Sequence, residues 1–149
     1  MAACAAAGVC LALALGHAPP LFLPTTQFTL AWTHSIEKIR WEEDYTVRPA
    51  ADGEGCRLVP GAARIRGSGA GMEPPPDAVL RDGWYVYQPH TAPLRQLLLT
   101  RSPYTADYDW CENGRCRTLG RILPSDGGVT RLWACTDPKA AASAHARAD

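Results

Sequence analysis

Alternating apolar and polar residues divide the chain into short segments. Residues 28–36 carry a large apolar or aromatic side chain, or His34, at every second position, and residues 41–49 repeat the alternation. A period of two places one set of side chains on each face of a β-strand, so each segment is predicted to be a half-buried strand. Only residues 37–40 separate the two segments, which favours a hairpin.

Similar strand segments continue to the end of the chain, separated by turns rich in Gly and Pro, of which there are 13 each. They cover residues 56–59, 62–66, 84–88, 96–100, 104–111, 116–123 and 129–135. The pattern predicts a mainly β protein, either an antiparallel β-sandwich or a partly open barrel of about eight short strands. We assign residues 24–136 to this single β-rich domain and residues 137–149, which are mostly Ala and polar, to a disordered tail.

The first 36 residues contain no Asp, Glu, Lys or Arg, and Ala2 to Leu15 is an apolar run. The run is shorter than the roughly 20 residues of a spanning helix, so it is more typical of a signal peptide. We therefore predict that residues 1–23 are a signal peptide that exports the domain to the periplasm. The alternative is an uncleaved anchor in the inner membrane, which would be the chain's one contact with a membrane.

The charge balance argues against nucleic-acid binding. Lys and Arg total 15, Asp and Glu also total 15, and the basic residues are scattered along the chain. Nucleic-acid-binding domains carry a basic excess on one face.

The segment GSGAGMEPPPD, residues 67–77, resembles a phosphate-binding loop only in its glycines. Phosphate loops need a helix N-terminus after them, and here three prolines follow, so no nucleotide or other cofactor is predicted. The segment is either a plain structural loop or the rim of a ligand site formed by Gly69, Gly71, Met72 and Glu73.

Six cysteines suggest an oxidising compartment. Cys111 and Cys116 flank Asn113-Gly114, a dipeptide typical of a two-residue hairpin turn, which places the two cysteines opposite each other. The alternatives are a disulfide and half of a zinc site. Because no second close Cys or His pair exists, we predict the disulfide and no metal. Cys56 and Cys135 remain as a second predicted pair, since the other two cysteines lie in the predicted leader.

His34 and Glu43 are ionisable residues on the otherwise apolar faces of their strands. If the hairpin loop is residues 37–40, His34 lies opposite Glu43 and the two form a cross-strand pair. Such a pair is either a structural contact or the polar floor of a ligand pocket. No catalytic triad or paired acid motif accompanies it.

The segments FTLAWTHSIEKIRWEEDY, GSGAGMEPPPDA and WCENGRC resemble the domain of unknown function 1850 family, over roughly residues 27–135. The resemblance implies a small exported bacterial protein, often encoded beside tripartite ATP-independent periplasmic (TRAP) transporters with a TAXI-type binding protein. It implies no activity, cofactor or catalytic residue. The positions that match the family's recurring residues are His34, Ser35, Glu37, Glu43, Gly69, Gly71, Met72 and Glu73.

Three functions follow as hypotheses. The first is a non-enzymatic periplasmic accessory of a TAXI-type TRAP transporter, with the permease or the solute-binding protein as its partner. The second is a small-ligand or metal-binding periplasmic module that uses His34, Glu43 and Glu73. The third is a hydrolase that uses His34 and Glu43.

Overall fold

The regular secondary structure of the described residues is almost all antiparallel strand. The structure, a computed structural model, describes residues 4–34, 38–67 and 74–140. Within these ranges there are eleven strands: β1 (Ala7–Leu13), β2 (Leu21–Leu23), β3 (Gln27–Thr33), β4 (Arg40–Pro49), β5 (Cys56–Arg66), β6 (Val79–Arg81), β7 (Trp84–Tyr87), β8 (Leu97–Thr100), β9 (Asp109–Glu112), β10 (Arg115–Thr118) and β11 (Val129–Thr136). One short 3₁₀ turn, Leu119–Arg121, follows β10.

The strands form two sheets. The smaller has the order β2-β1-β11-β8, and the larger has the order β10-β9-β3-β4-β5-β7-β6. The two sheets are open rather than closed into a barrel, so the predicted mainly β, sandwich-like fold is confirmed. The strand number is higher than predicted because β1 and β2 lie in the segment assigned to a leader and β6 is only three residues long.

A core of apolar side chains fills the space between the sheets. Phe28 stacks on Trp110 with ring centroids 4.2 Å apart, and on Tyr45 at 5.4 Å. The smaller sheet supplies Val9, Leu11, Leu99, Leu132 and Ala134. These residues alternate along their strands, as inward-facing residues of a two-sheet core must. The predicted alternation in residues 28–36 and 41–49 therefore identifies the faces that the core buries.

Residues Ala7–Leu13 of the apolar N-terminal run form an interior strand, β1. β1 lies between β2 and β11, and its Val9 and Leu11 are fully buried in the core. The opposite face of β1 is covered too, because the Phe22 ring packs against Gly8, where a Cβ atom would lie only 2.5 Å from it. A strand covered on both faces needs apolar residues at consecutive positions, which is also the composition of a signal peptide. The predicted boundary at residue 23 therefore falls inside the fold, between β2 and β3.

All six cysteines are paired. The bonds are Cys4–Cys56, Cys10–Cys135 and Cys111–Cys116. The predicted Cys111–Cys116 bond is confirmed. The predicted Cys56–Cys135 bond is wrong, because Cys56 bonds to Cys4, which precedes β1, and Cys135 bonds to Cys10 of β1. Cys56 and Cys135 are nevertheless close neighbours, since the Cys56 Sγ lies 4.0 Å from the Cys135 carbonyl oxygen.

The loop between β8 and β9 is fixed by a buried arginine. Arg101 is only 2% exposed, and its guanidinium donates to both carboxylate oxygens of Asp107, at 3.0 and 2.8 Å. A third hydrogen bond, of 3.1 Å, joins Arg101 to the hydroxyl of the fully buried Thr130 in β11. Burial opposes ionisation of Asp107, but hydrogen bonds from Arg101 and from backbone amides outweigh it, so the pKa of Asp107 lies below its usual value.

Candidate functional site

One end of the larger sheet extends beyond the core and presents aromatic side chains on its inner face. Cross-strand pairing aligns Trp32 with Trp41, Trp41 with Ile65, and Ile65 with Tyr85. The next row aligns Trp110, Leu30, Glu43, Ala63 and Tyr87. Residues directly opposite each other share a face, so the carboxylate of Glu43 lies on the same face as these rings. We call Trp32, Trp41, Tyr85, Tyr87 and Tyr108, together with Glu43, the aromatic face.

Ring contacts join the members of the aromatic face along its outer row. Trp32 stacks on Trp41 and also contacts Tyr108, with centroid distances of 6.0 Å in both cases. The His34 ring lies 6.4 Å from the Trp41 ring. These residues are half-buried, in contrast to the fully buried Trp110 beside them. The Trp41 Nε1 donor is buried and has no hydrogen-bond acceptor among the described residues.

Glu43 affects the pKa values of three tyrosines. Tyr45 donates its hydroxyl hydrogen to Glu43 Oε2, and burial together with this bond raises the pKa of Tyr45 far above its usual value. Burial and the negative charge of Glu43 also raise the pKa values of Tyr87 and Tyr108. The three phenols therefore stay neutral at physiological pH.

A small cavity of about 60 Å³ adjoins Glu43 on the side of β5. Its lining includes Pro60, Pro89, Thr91 and Leu94. The register of β4 against β5 shifts here, because Glu43 lies opposite Ala63 while Tyr45 lies opposite Pro60. Two residues of β5 therefore face Asp44 alone, a β-bulge that bends the strand beside the carboxylate. The cavity has room for about two water molecules, each of which occupies roughly 30 Å³ in the liquid.

The outer face of the same strands carries a network of ion pairs. Arg64 forms a bidentate pair with Asp44, with both distances 2.9 Å, and also contacts Glu42 at 3.1 Å. Arg40 joins Glu42 to Asp109 of β9, again at 2.9 Å to each. Burial opposes ionisation of Asp44, but hydrogen bonds from Arg64 and from the Thr29 hydroxyl lower its pKa below the usual value. An open groove of about 620 Å³ runs between this network and the Cys111–Cys116 hairpin.

The predicted pair of His34 and Glu43 is wrong. Glu43 lies opposite Leu30, and the hairpin closes where the His34 amide donates to the Ile39 carbonyl, at 2.9 Å. Ile39 and Arg40, predicted to lie in the loop, instead pair with His34 and Thr33, and Lys38 takes a positive φ of 56°. The register differs from the predicted one by an even number of residues. His34 and Glu43 consequently keep the same face but are not opposite each other.

The other predicted site residues, Gly69, Gly71, Met72 and Glu73, lie outside the described residues, as do Ser35 and Glu37. Sequence reasoning missed Tyr85, Tyr87 and Tyr108 of the aromatic face. A signal for two of them was present, because Tyr85 and Tyr87 alternate on one face of a predicted strand. Tyr108 could be assigned to the aromatic face only from the pairing of β9 with β3.

Within the described residues, no three His, Cys, Asp or Glu side chains are grouped so that they could hold a metal ion. No helix of the described chain has the length and apolar character needed to cross a membrane.

Comparison with known proteins gives one match. The family model described as Domain of unknown function (DUF1850) matches residues 28–119. That range contains almost the whole of the larger sheet, including the aromatic face, and leaves out β1, β2 and β11 of the smaller sheet. No curated protein and no solved structure matches the chain. Because the family model covers more than half of the chain, and includes both the HSIE segment and the WCENGRC hairpin, the protein belongs to the DUF1850 family.

Proposed function

We propose that this protein is an exported, non-enzymatic accessory of a solute-uptake system, acting in the periplasm beside a TAXI-type TRAP transporter. The observation that carries export is the pairing of all six cysteines in three disulfides, two of which join distant parts of the chain. Structural disulfides persist outside the reducing cytosol and are rare within it. The transporter is inferred from the gene neighbourhood that the resemblance to the DUF1850 family implies.

A non-enzymatic role is supported by how the polar groups of the described chain are used. Arg64 is paired with Asp44, Arg101 with Asp107, and Glu43 accepts a hydrogen bond from Tyr45. The hydrolase hypothesis depended on a direct contact between His34 and Glu43, and that contact is replaced by Leu30 opposite Glu43. Paired side chains of this kind stabilise a binding scaffold.

Export and transport are tested separately. In fractionated native cells, the protein should be recovered with the periplasmic contents or on the periplasmic side of the inner membrane. Its cysteines should react with a maleimide only after reduction. Recovery in the cytosol with free thiols would contradict export.

Deletion of the gene in its native strain should lower solute uptake by that strain's TAXI-type transporter without lowering the amount of permease. Restoring the full chain should restore uptake, and a solute carried by an unrelated transporter serves as the control. Unchanged uptake in a strain where the protein is periplasmic would reject the accessory role and leave export intact.

A second candidate function is a small-ligand-binding module. The observation that favours it is the aromatic face, where half-buried rings lie on the same face as a single carboxylate.

A further inference from the structure

We propose that the aromatic face binds an organic ammonium cation, either a protonated amine or a quaternary ammonium group, with Glu43 as its counter-ion. This inference concerns the ligand of one surface, so it does not depend on export or on a transporter partner.

The first argument is the charge of Glu43. Among the described residues, no Lys, Arg or His forms an ion pair with this carboxylate. The nearest arginines along the same strands, Arg40 and Arg64, point to the outer face, where they bind Glu42, Asp44 and Asp109. A half-buried carboxylate beside apolar groups is costly unless a positive charge accompanies it. A bound cation would supply that charge.

The second argument is the chemistry of the surroundings. The faces of Trp, Tyr and Phe rings attract cations that lie within about 6 Å of the ring centroid, and Trp does so most strongly. The aromatic face carries two tryptophans and three tyrosines in adjacent rows, with Trp32 in contact with both Trp41 and Tyr108. The residue between Glu43 and Tyr87 is Ala63, whose small side chain leaves the carboxylate and the phenol ring without a bulky group between them.

The third argument selects an organic cation over other ligands. An anion would be repelled by Glu43, and the tyrosines remain neutral donors. A hard metal ion requires several oxygen ligands, and the described residues offer no group of three metal-binding side chains. An ammonium group needs one carboxylate and ring faces, which is the set present here.

The test is a calorimetric titration of the oxidised full-length protein with methylammonium chloride and with tetramethylammonium chloride. Sodium chloride at the same ionic strength serves as the reference. We expect saturable binding of at least one of the two ammonium ions. Their order of affinity reports whether the small space beside Glu43 or the open ring faces dominate. No saturable heat with either ion would overturn the proposal.

Glu43→Gln removes the charge but keeps an oxygen that can accept from Tyr45, so it should weaken binding by about tenfold or more. The matched control is Glu42→Gln, which makes the same change at the adjacent residue of β4, on the outer face. It should leave affinity within about twofold. Equal losses in the two variants would indicate non-specific attraction and refute the site.

Trp41→Leu provides a second measure that leaves the carboxylate in place. It should weaken tetramethylammonium binding several-fold, because it removes one ring face from the cation. Unchanged affinity in a Trp41→Leu protein that keeps the native far-ultraviolet circular dichroism spectrum would also overturn the proposal.

Discussion

Replacing both residues of the Cys10–Cys135 disulfide by alanine should destabilise the protein much more than the same replacement at Cys111 and Cys116. The first bond joins residues 125 apart in sequence and the second joins residues only 5 apart. In the chain-entropy account, a cross-link stabilises by restricting the unfolded chain, and the effect grows with the logarithm of the loop length. The formula gives about 5 kcal/mol for Cys10–Cys135 and about 2 kcal/mol for Cys111–Cys116.

The Cys4–Cys56 bond shortens the loop that Cys10–Cys135 closes, because both bonds tie the N-terminal segment around β1 to later parts of the chain. Since the dependence is logarithmic, this lowers the larger value by only a few tenths of a kcal/mol. A difference of roughly 2–3 kcal/mol between the two double variants is therefore expected. Replacing Cys10 by alanine removes only the sulfur atom and keeps the Cβ atom, so lost packing adds little to this difference in stability.

The assay is equilibrium unfolding in guanidinium chloride without reductant, followed by tryptophan fluorescence. Trp110 is 1% exposed in the core and should report global unfolding. Non-reducing peptide mapping of the parent protein should show Cys4 linked to Cys56 and Cys10 linked to Cys135. Equal destabilisation by the two replacements, or a Cys56–Cys135 peptide in the parent, would refute the placement of β1 within the folded domain.

Three further outcomes follow from contacts described above. Asp107→Asn should cost about 3 kcal/mol or more, because it leaves the Arg101 guanidinium buried without a counter-charge. Arg101→Met should cost less in the same denaturation assay, because Asp107 remains 26% exposed to solvent; a reversed order would contradict this account. Because folding lowers the pKa of Asp107, its contribution to the free energy of unfolding should be present above about pH 4 and lost as the pH falls through the lower folded pKa. The free energy of unfolding of Asp107→Asn should therefore fall less steeply with decreasing pH in this acid range. Gly8→Ala should lower the free energy of unfolding by about 1–3 kcal/mol, because the new Cβ would lie 2.3 Å from the Leu23 carbonyl oxygen. The control is Gly16→Ala, whose new Cβ has its nearest contact at 3.4 Å, so its melting temperature should stay within a few degrees of the parent's.

Local patterns predicted the parts of the fold that depend on neighbouring residues. The Asn113-Gly114 turn is one case, because both residues adopt the positive φ values that this turn type requires, 51° and 77°. As expected from that turn, Glu112 pairs with Arg115 and Cys111 with Cys116. Alternation likewise identified the inward faces of β3 and β4 correctly.

Features that depend on distant parts of the chain could not be predicted in the same way. The apolar residues of β1 fit a leader or a strand covered on both faces, and only pairing with β11 distinguishes the two. The β3–β4 register depended on which residues form the loop, and the sequence Glu37-Lys38-Ile39-Arg40 contains no Gly, Asn or Pro to mark a turn. The tyrosines around Glu43 come from three separate strands or their edges, so the aromatic face exists only after the sheet has formed.

The position of β1 beside β11 also determines when the domain can complete its folding. β1 precedes the other described strands in the sequence and its partner β11 follows them, so the centre of the smaller sheet cannot assemble until residues 129–136 are available. Contacts of such high sequence separation slow folding, because a long loop must be closed before they form. Until then β1 and β2 have strand edges that other chains can pair with. We therefore expect the newly made chain to require protection from aggregation until its C-terminal strand joins the sheet.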